Sequence, residues 1–165
     1  MNYLYAPWRR EYVTRDKKCD CVFCDIAQNP SCDEENFVLY RDKICFVVMN
    51  KFPYTPGHIM VIPLQHIDNI ENLEEKSWLH ISKIVKRCVK MLKVEFKADG
   101  INLGMNMGKG AGAGIAEHIH YHIMPRWIGD TNFITTIADT RVFSSDFEKI
   151  YKRLKKDISR YVRNN

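Results

Sequence analysis

The sequence predicts an α+β domain: an antiparallel sheet of about five strands with one long helix and one C-terminal helix. Three observations lead there. Short runs rich in Val, Ile, Phe and Tyr are bounded by turn residues. Two longer stretches repeat their apolar residues at helical spacing. The elements come in the order strands, helix, strands, helix, which suits helices packed on an antiparallel sheet. The 165 residues are enough for one domain with a real core, 1–165. No internal repeat and no linker rich in Gly, Ser or Pro divides them.

Residues 1–18 form an arm without clear periodicity. Phe37 to Tyr40, Ile44 to Met49 and His58 to Ile62 then read as strands. Arg41-Asp42-Lys43 connects the first two tightly, and Pro53 to Gly57 connects the next pair. The long helix follows, with Asn72 as its N-terminal cap and Glu75 three residues on. Its buried face is Trp78, Ile81, Val85, Cys88 and Leu92, and His80 falls on its surface. Asp99-Gly100 ends that segment. Ile101 to Met105 is a strand, a glycine-rich loop comes next, and His118 to Arg126 is the last strand. Ser145-Asp146-Phe147-Glu148 opens the final helix with a capping-box pattern. Its stripe is Phe147, Ile150, Tyr151, Leu154 and Ile158.

Composition narrows the class. Forty-five per cent apolar and 27 per cent charged residues are ordinary for a soluble globular chain. The apolar runs are too short to span a bilayer, and Trp8-Arg9-Arg10-Glu11 is no signal-peptide stretch. A cytoplasmic location, with no membrane partner, is the expectation. Six cysteines in a chain of this size do not read as a disulfide framework. Cys45 and Cys88 lie in apolar settings and read as packed small hydrophobes. The net charge of +5 includes Lys149, Lys152, Lys155 and Lys156 near the C-terminus. No nucleic-acid motif accompanies them, so they read as a solvated helix face.

The most informative stretch is His118-Ile119-His120-Tyr121-His122-Ile123-Met124-Pro125-Arg126. Three histidines alternate with strand formers. In an extended chain they stand on one face, about 7 Å apart along the backbone, with the apolar set toward the core. Such a row costs stability unless each ring is solvated, paired or bound. Upstream, Gly108-Lys109-Gly110-Ala111-Gly112-Ala113-Gly114 places four glycines in seven residues. A glycine run alone is equally a flexible loop. Beside a histidine row it becomes a candidate anion cradle, because its N–H groups can line a concavity. Cys21-Val22-Phe23-Cys24 is a short-turn metal pair that needs two further ligands, and Cys19 could compete with Cys21.

The histidine row resembles the signature of the histidine-triad (HIT) family. Cys21 to Ile26, Asn50-Lys51-Phe52-Pro53, Pro56-Gly57-His58, Val61-Ile62-Pro63 with His66, and Gly108 to Gly114 resemble further family features in the same order. The likeness covers about residues 3 to 155. Pro7-Trp8-Arg9, Tyr12 and Trp127-Ile128-Gly129-Asp130 resemble its bacterial branch of dinucleoside-polyphosphate phosphorylases or hydrolases. The resemblance implies that His120 is the nucleophile that forms a nucleotidyl-histidine, and that His122 donates a hydrogen bond to a phosphate oxygen. It implies phosphate contacts from Asn106 and from backbone amides from about Gly112 through Gly114 to Ile115. It also implies a ribose contact from Asn50 and an apolar base slot from Phe23, Ile26 and Val48. A structural zinc on Cys21, Cys24, His66 and His118, a supporting place for His58 in the hairpin, a purine-nucleotide or dinucleoside-polyphosphate substrate such as diadenosine tetraphosphate, and a homodimer follow from the same resemblance. Three alternatives stay open at this point. One is a purine-nucleoside phosphoramidase of the same family. Another is a metallohydrolase holding a catalytic zinc on His118, His120 and His122. The third is a nucleotide-binding regulator with little turnover.

Overall fold

The computed structural model describes residues 21–131, 137 and 146–162. The N-terminal arm, Cys19 and Ser145 lie outside the described residues. Helix α1 (Val22–Gln28) leads to strands β1 (Val38–Arg41), β2 (Cys45–Met49) and β3 (Ile59–Pro63), then to the long helix α2 (Glu75–Glu95). Strand β4 (Gly100–Gly104), strand β5 (Tyr121–Arg126) and helix α3 (Phe147–Val162) complete the order. The sheet runs β1-β2-β3-β5-β4 with every neighbouring pair antiparallel. The architecture is α+β, as the order of apolar runs predicts.

Strands β2 and β3 at the centre of the sheet are buried on both faces. Cys45, Val47, Met49, Ile59 and Val61 point to the side that α2 and α3 cover. Helix α2 supplies Ile81, Ile84, Val85, Cys88, Met91 and Leu92, and α3 supplies Ile150, Tyr151, Leu154 and Ile158. The alternate residues Phe46, Val48, Met60 and Ile62 face a second cluster built around Phe23 and Ile26 of α1. Period-2 alternation therefore separates two apolar layers instead of core from solvent.

Three local expectations change. The long helix is not capped by Asn72, which closes a 3₁₀ turn (Ile70–Asn72). The helix starts at Glu75 behind an extended Glu74, with no side-chain cap. His80 is not a plain surface residue, because its Nε2 lies 2.7 Å from Asp42 Oδ2. Paired strand β5 begins at Tyr121, so His118 to His120 precede the ladder. At the start of α3, Asp146 Oδ1 accepts the Lys149 N–H. Lys149, Lys152, Lys155 and Lys156 are all exposed.

Helix α1 is held at its far end by Arg41. The guanidinium grips both oxygens of Asp33 and donates to the Ile26 and Ala27 carbonyls at 2.8 and 3.1 Å. It also lies over the Phe46 ring. A positive group on open helix carbonyls is favourable. Arg41→Ala is expected to cost about 2 kcal/mol, the scale of a charge-assisted hydrogen-bonded pair. Arg41→Lys should restore only part of that, since an ammonium cannot match the fork. Urea denaturation checks both, and an unchanged midpoint for Arg41→Ala would remove the clamp.

Candidate active site and metal centre

The hairpin between β2 and β3 positions the first working histidine. Gly57 has φ +78°, and a Cβ there would meet Pro125 Cγ at 3.3 Å. Only glycine suits both the backbone conformation and the close approach. His58 follows directly and is fully buried. The register Met60↔His122 brings β3 beside β5 at this point, and His58 Nε2 lies 2.9 Å from His122 Nδ1.

Hydrogen bonds fix which atom of each ring carries the proton. The Phe52 N–H donates to Asn50 Oδ1 at 3.0 Å, so Asn50 Nδ2 is the atom facing His58 Nδ1 at 3.2 Å. The Tyr54 N–H donates to the same Nδ1. His58 Nδ1 therefore accepts, and its Nε2–H donates to His122 Nδ1. That leaves the proton of neutral His122 on Nε2, a donor. His120 has the opposite arrangement. Its Nδ1–H donates to the His118 carbonyl at 2.8 Å, which leaves Nε2 as a lone pair. The rings of His120 and His122 are 4.8 Å apart between centroids.

Burial keeps these rings neutral. It pushes His58 down to about 3, helped by the nearby His122 and His120. It pushes His122 down to about 4, with His120 adding to the effect. His120 is lowered as well, again mainly by burial. The unfolded chain thus takes up protons first as the pH falls. The stability from His58 and His122 is complete above about pH 6.5 and is lost on the way down to their folded values. At about pH 5.5 both imidazoles should still be neutral by ¹⁵N NMR, while the melting temperature is already below its value at about pH 7.5. A ring with a midpoint near the ordinary histidine value would overturn this.

The remaining triad ring turns away from the pair. His118 Nδ1 lies 3.4 Å from Cys21 Sγ and 3.6 Å from Cys24 Sγ, and His66 Nδ1 lies 3.1 Å from Cys24 Sγ. All four ligand atoms fall within 4.8 Å of one another. A tetrahedral zinc, with bonds of about 2.3 Å to sulfur and about 2.0 Å to nitrogen, puts such atoms about 3.5 Å apart. The donor set and its spacing fit that ion. His118 Nε2–H donates to the Pro63 carbonyl at 3.0 Å, which frees Nδ1 to act as a ligand.

Asp42, Cys45 and His80 form a second cluster that could by composition hold a metal. Its hydrogen bonding argues otherwise. The Asp42 carboxylate already accepts from Tyr40 Oη, Ile44 N, Cys45 N and His80 at 2.7–2.9 Å. These four donors use its lone-pair sites. Burial pushes the Cys45 thiol far above the ordinary range, so it is no thiolate. The cluster ties the β1–β2 turn to α2. Sequence reading missed it, and the only local signal was an Asp in a tight turn.

The candidate base-slot residues lie beside His120. Phe23, Ile26 and Val48 share one buried cluster, and the Phe23 ring centroid is 5.0 Å from that of His120. Ile115, at the end of the glycine loop, packs on the same cluster. The loop contains a 3₁₀ turn (Lys109–Ala111) closed by Gly112 at φ +82°. Asn106, Gly112 and Gly114 lie on its exposed side.

An antiparallel α+β sheet with this histidine arrangement defines a class, and comparison with known proteins agrees. Residues 32–127 match the HIT domain family. The chain belongs to that family. It is 35% identical over 148 residues to the AP-4-A phosphorylase of Mycobacterium tuberculosis (strain ATCC 25618 / H37Rv), covering 84% of this chain and 75% of the relative. It is 31% identical over 91 residues to the Bis(5'-adenosyl)-triphosphatase of Saccharomyces cerevisiae (strain YJM789), covering 54% and 44%. Among solved structures, a Zn-bound histidine triad family protein from Mycobacterium smegmatis superposes with a TM-score of 0.69 at 27% identity, over 86% of this chain and 94% of that one. A hypothetical histidine triad nucleotide-binding protein from Sulfolobus tokodaii strain7 gives 0.68 at 31%, over 85% and 93%.

Proposed function

We propose that this chain cleaves dinucleoside polyphosphates, diadenosine tetraphosphate among them, through a nucleotidyl intermediate on His120. The observation that carries this reading is the pair of opposite tautomers at His120 and His122. One ring offers a lone pair to phosphorus and its neighbour offers a proton to oxygen. In the first step His120 Nε2 bonds to the α-phosphorus, and the bond from that phosphorus to the bridging oxygen breaks. His122 Nε2–H stabilises the departing or non-bridging oxygen. In the second step water or inorganic phosphate bonds to the phosphorus, the N–P electron pair returns to His120, and the proton of the incoming oxygen passes to solvent.

Phe23, Ile26 and Val48 take the base in this reading. Asn106 and the amides of Gly112, Gly114 and Ile115 take the phosphates. Asn50 is assigned to the ribose. Its bonds to Phe52 and His58 give it a second task, that of orienting His58. Cys21, Cys24, His66 and His118 would hold zinc, which when bound supplies a closed tetrahedral cross-link without an open position. The metallohydrolase alternative loses ground, because His118 faces the two cysteines while His120 and His122 each commit Nδ1 to a hydrogen bond.

We also propose a homodimer. Among the described residues strand β4 is a sheet edge, with Leu103 51% exposed. It borders a groove lined by Val85, Val89 and Tyr121. An open apolar edge is a natural pairing surface. Two reduced cysteines as ligands suit the cytoplasm. Among the described residues no helix is long and apolar enough to cross a membrane.

Product analysis with diadenosine tetraphosphate tests the reaction. With phosphate the expected products are ADP and ATP, and with water AMP and ATP. Two ADP would mean attack at the β-phosphorus and would overturn the proposed step. No consumption, together with turnover of adenosine phosphoramidate, would move the chain to the phosphoramidase branch.

A further inference from the structure

We infer that the metal cluster positions the nucleophile: His118 and His66 are positioning residues that hold the carbonyl on which the tautomer of His120 depends. This rests on the reading of His120 as nucleophile and of the cysteine–histidine cluster as a zinc site. His118 serves both centres with different atoms. Its ring nitrogen faces the two sulfurs, and its carbonyl accepts the His120 Nδ1–H. The nucleophile also lies where the sheet does not hold it. Pairing of β5 with β3 begins at Val61↔Tyr121, and pairing with β4 reaches only Gly104↔His122. Ahead of those pairs, the Ile119 N–H donates to the Ile67 carbonyl at 2.8 Å. The His118 ring donates to the Pro63 carbonyl at 3.0 Å.

Both ends of the Ile119–Ile67 bond adjoin candidate ligands. Ile67 follows His66, and Ile119 follows His118. An ion shared by the two histidines would therefore staple that backbone bond from both sides. Without it the segment carrying the His118 carbonyl keeps two hydrogen bonds and the packing of Ile119 in the core and of the His118 ring on Phe23, and loses the cross-link that fixes the ring against the cysteines. If the carbonyl shifts, nothing selects the Nδ1–H form of His120, and the fraction of chains with a free Nε2 lone pair falls. Phe23 and Ile26 share helix α1 with Cys24, and the Phe23 ring packs on His118, so nucleotide binding changes with the metal as well; the tautomer of His120 is the readout that isolates the coupling.

The test uses ¹⁵N-histidine NMR and kinetics on the zinc-loaded, chelator-stripped and cadmium-loaded protein. With zinc, His120 should show a single tautomer protonated on Nδ1. After stripping, its signals should move toward a tautomer average and kcat should fall by about tenfold or more. Signals of His58 should stay in place, and added zinc should restore the rest. His66→Ala should reproduce the stripped state, and His66→Cys, which keeps four ligands, should recover turnover. Cadmium is larger and should displace the His120 signals in a folded protein, which decides the matter if the stripped form unfolds. Unchanged His120 signals in folded stripped protein, or in the cadmium form, overturn the coupling. Failure to trap a nucleotidyl-histidine on the zinc-loaded wild type would instead overturn the catalytic reading, and the NMR comparison would still judge the coupling.

Discussion

His120→Ala is expected to lower turnover of diadenosine tetraphosphate by on the order of 10⁴-fold or more, with AMP affinity changed by less than about threefold. The reason is the division of labour in the site. His120 Nε2 is the lone pair left by the bond to the His118 carbonyl, and no neighbouring ring can replace it. The lone pair of His122 sits on Nδ1, where it accepts from buried His58. In the proposed reading binding rests elsewhere, on the apolar cluster of Phe23, Ile26 and Val48 and on the glycine loop. His120 is 5% exposed, so the alanine variant also leaves a small cavity. His120→Asn controls for that, because its amide can still donate to the carbonyl but cannot attack phosphorus. Rapid-quench trapping of the intermediate and calorimetric binding of AMP give the two readouts. Turnover within tenfold of wild type for both variants would sink the assignment.

Purified protein should contain about one zinc per chain, and Cys24→Ser should lose it together with about 8–16 °C of thermal stability. The magnitude follows from linkage. Free zinc at roughly 1,000 times its Kd stabilises the folded state by about 4 kcal/mol. In a chain of this size each kcal/mol moves the melting temperature by about 2–4 °C. The cluster joins α1, the end of β3 and the approach to β5, so its loss loosens three elements together. Cys21→Ser should behave like Cys24→Ser. Cys19→Ser should keep the metal, since Cys21 is the residue placed against His118. Metal content with melting curves decides this, and a Cys24→Ser protein that keeps its zinc and its melting temperature would refute the site.

Much of the site was legible because its residues are close in sequence. His-x-His-x-His is a period-2 pattern, and extended backbone alone places the rings on one side. Cys21 and Cys24 are joined by a single short turn. The pairing of those cysteines with His66 and His118 was not legible from spacing and came from family resemblance. The role of His58 was legible only as a place in a hairpin. Its tautomer depends on Phe52 N–H, Asn50 and Tyr54 N–H converging, which is a property of folded backbone. The contact of Asp42 with His80 bridges a turn and a helix, and no local pattern encodes it.

By itself the sequence determined the strands, the two amphipathic helices, the alternation along the strands and the chemistry available to the site, but not the short helix α1 that carries Cys24. Those follow from propensity and periodicity, which act over a few residues. Tertiary structure decided the rest. It buried both faces of the histidine strand, where alternation alone suggests one. It ended the β5 ladder at Tyr121 and left His118 to His120 to be held by side chains and a carbonyl. It replaced the expected Asn72 cap with a 3₁₀ turn. It set the proton positions on His58, His120 and His122, because a tautomer is chosen by the partner that a ring meets, and those partners arrive from distant parts of the chain.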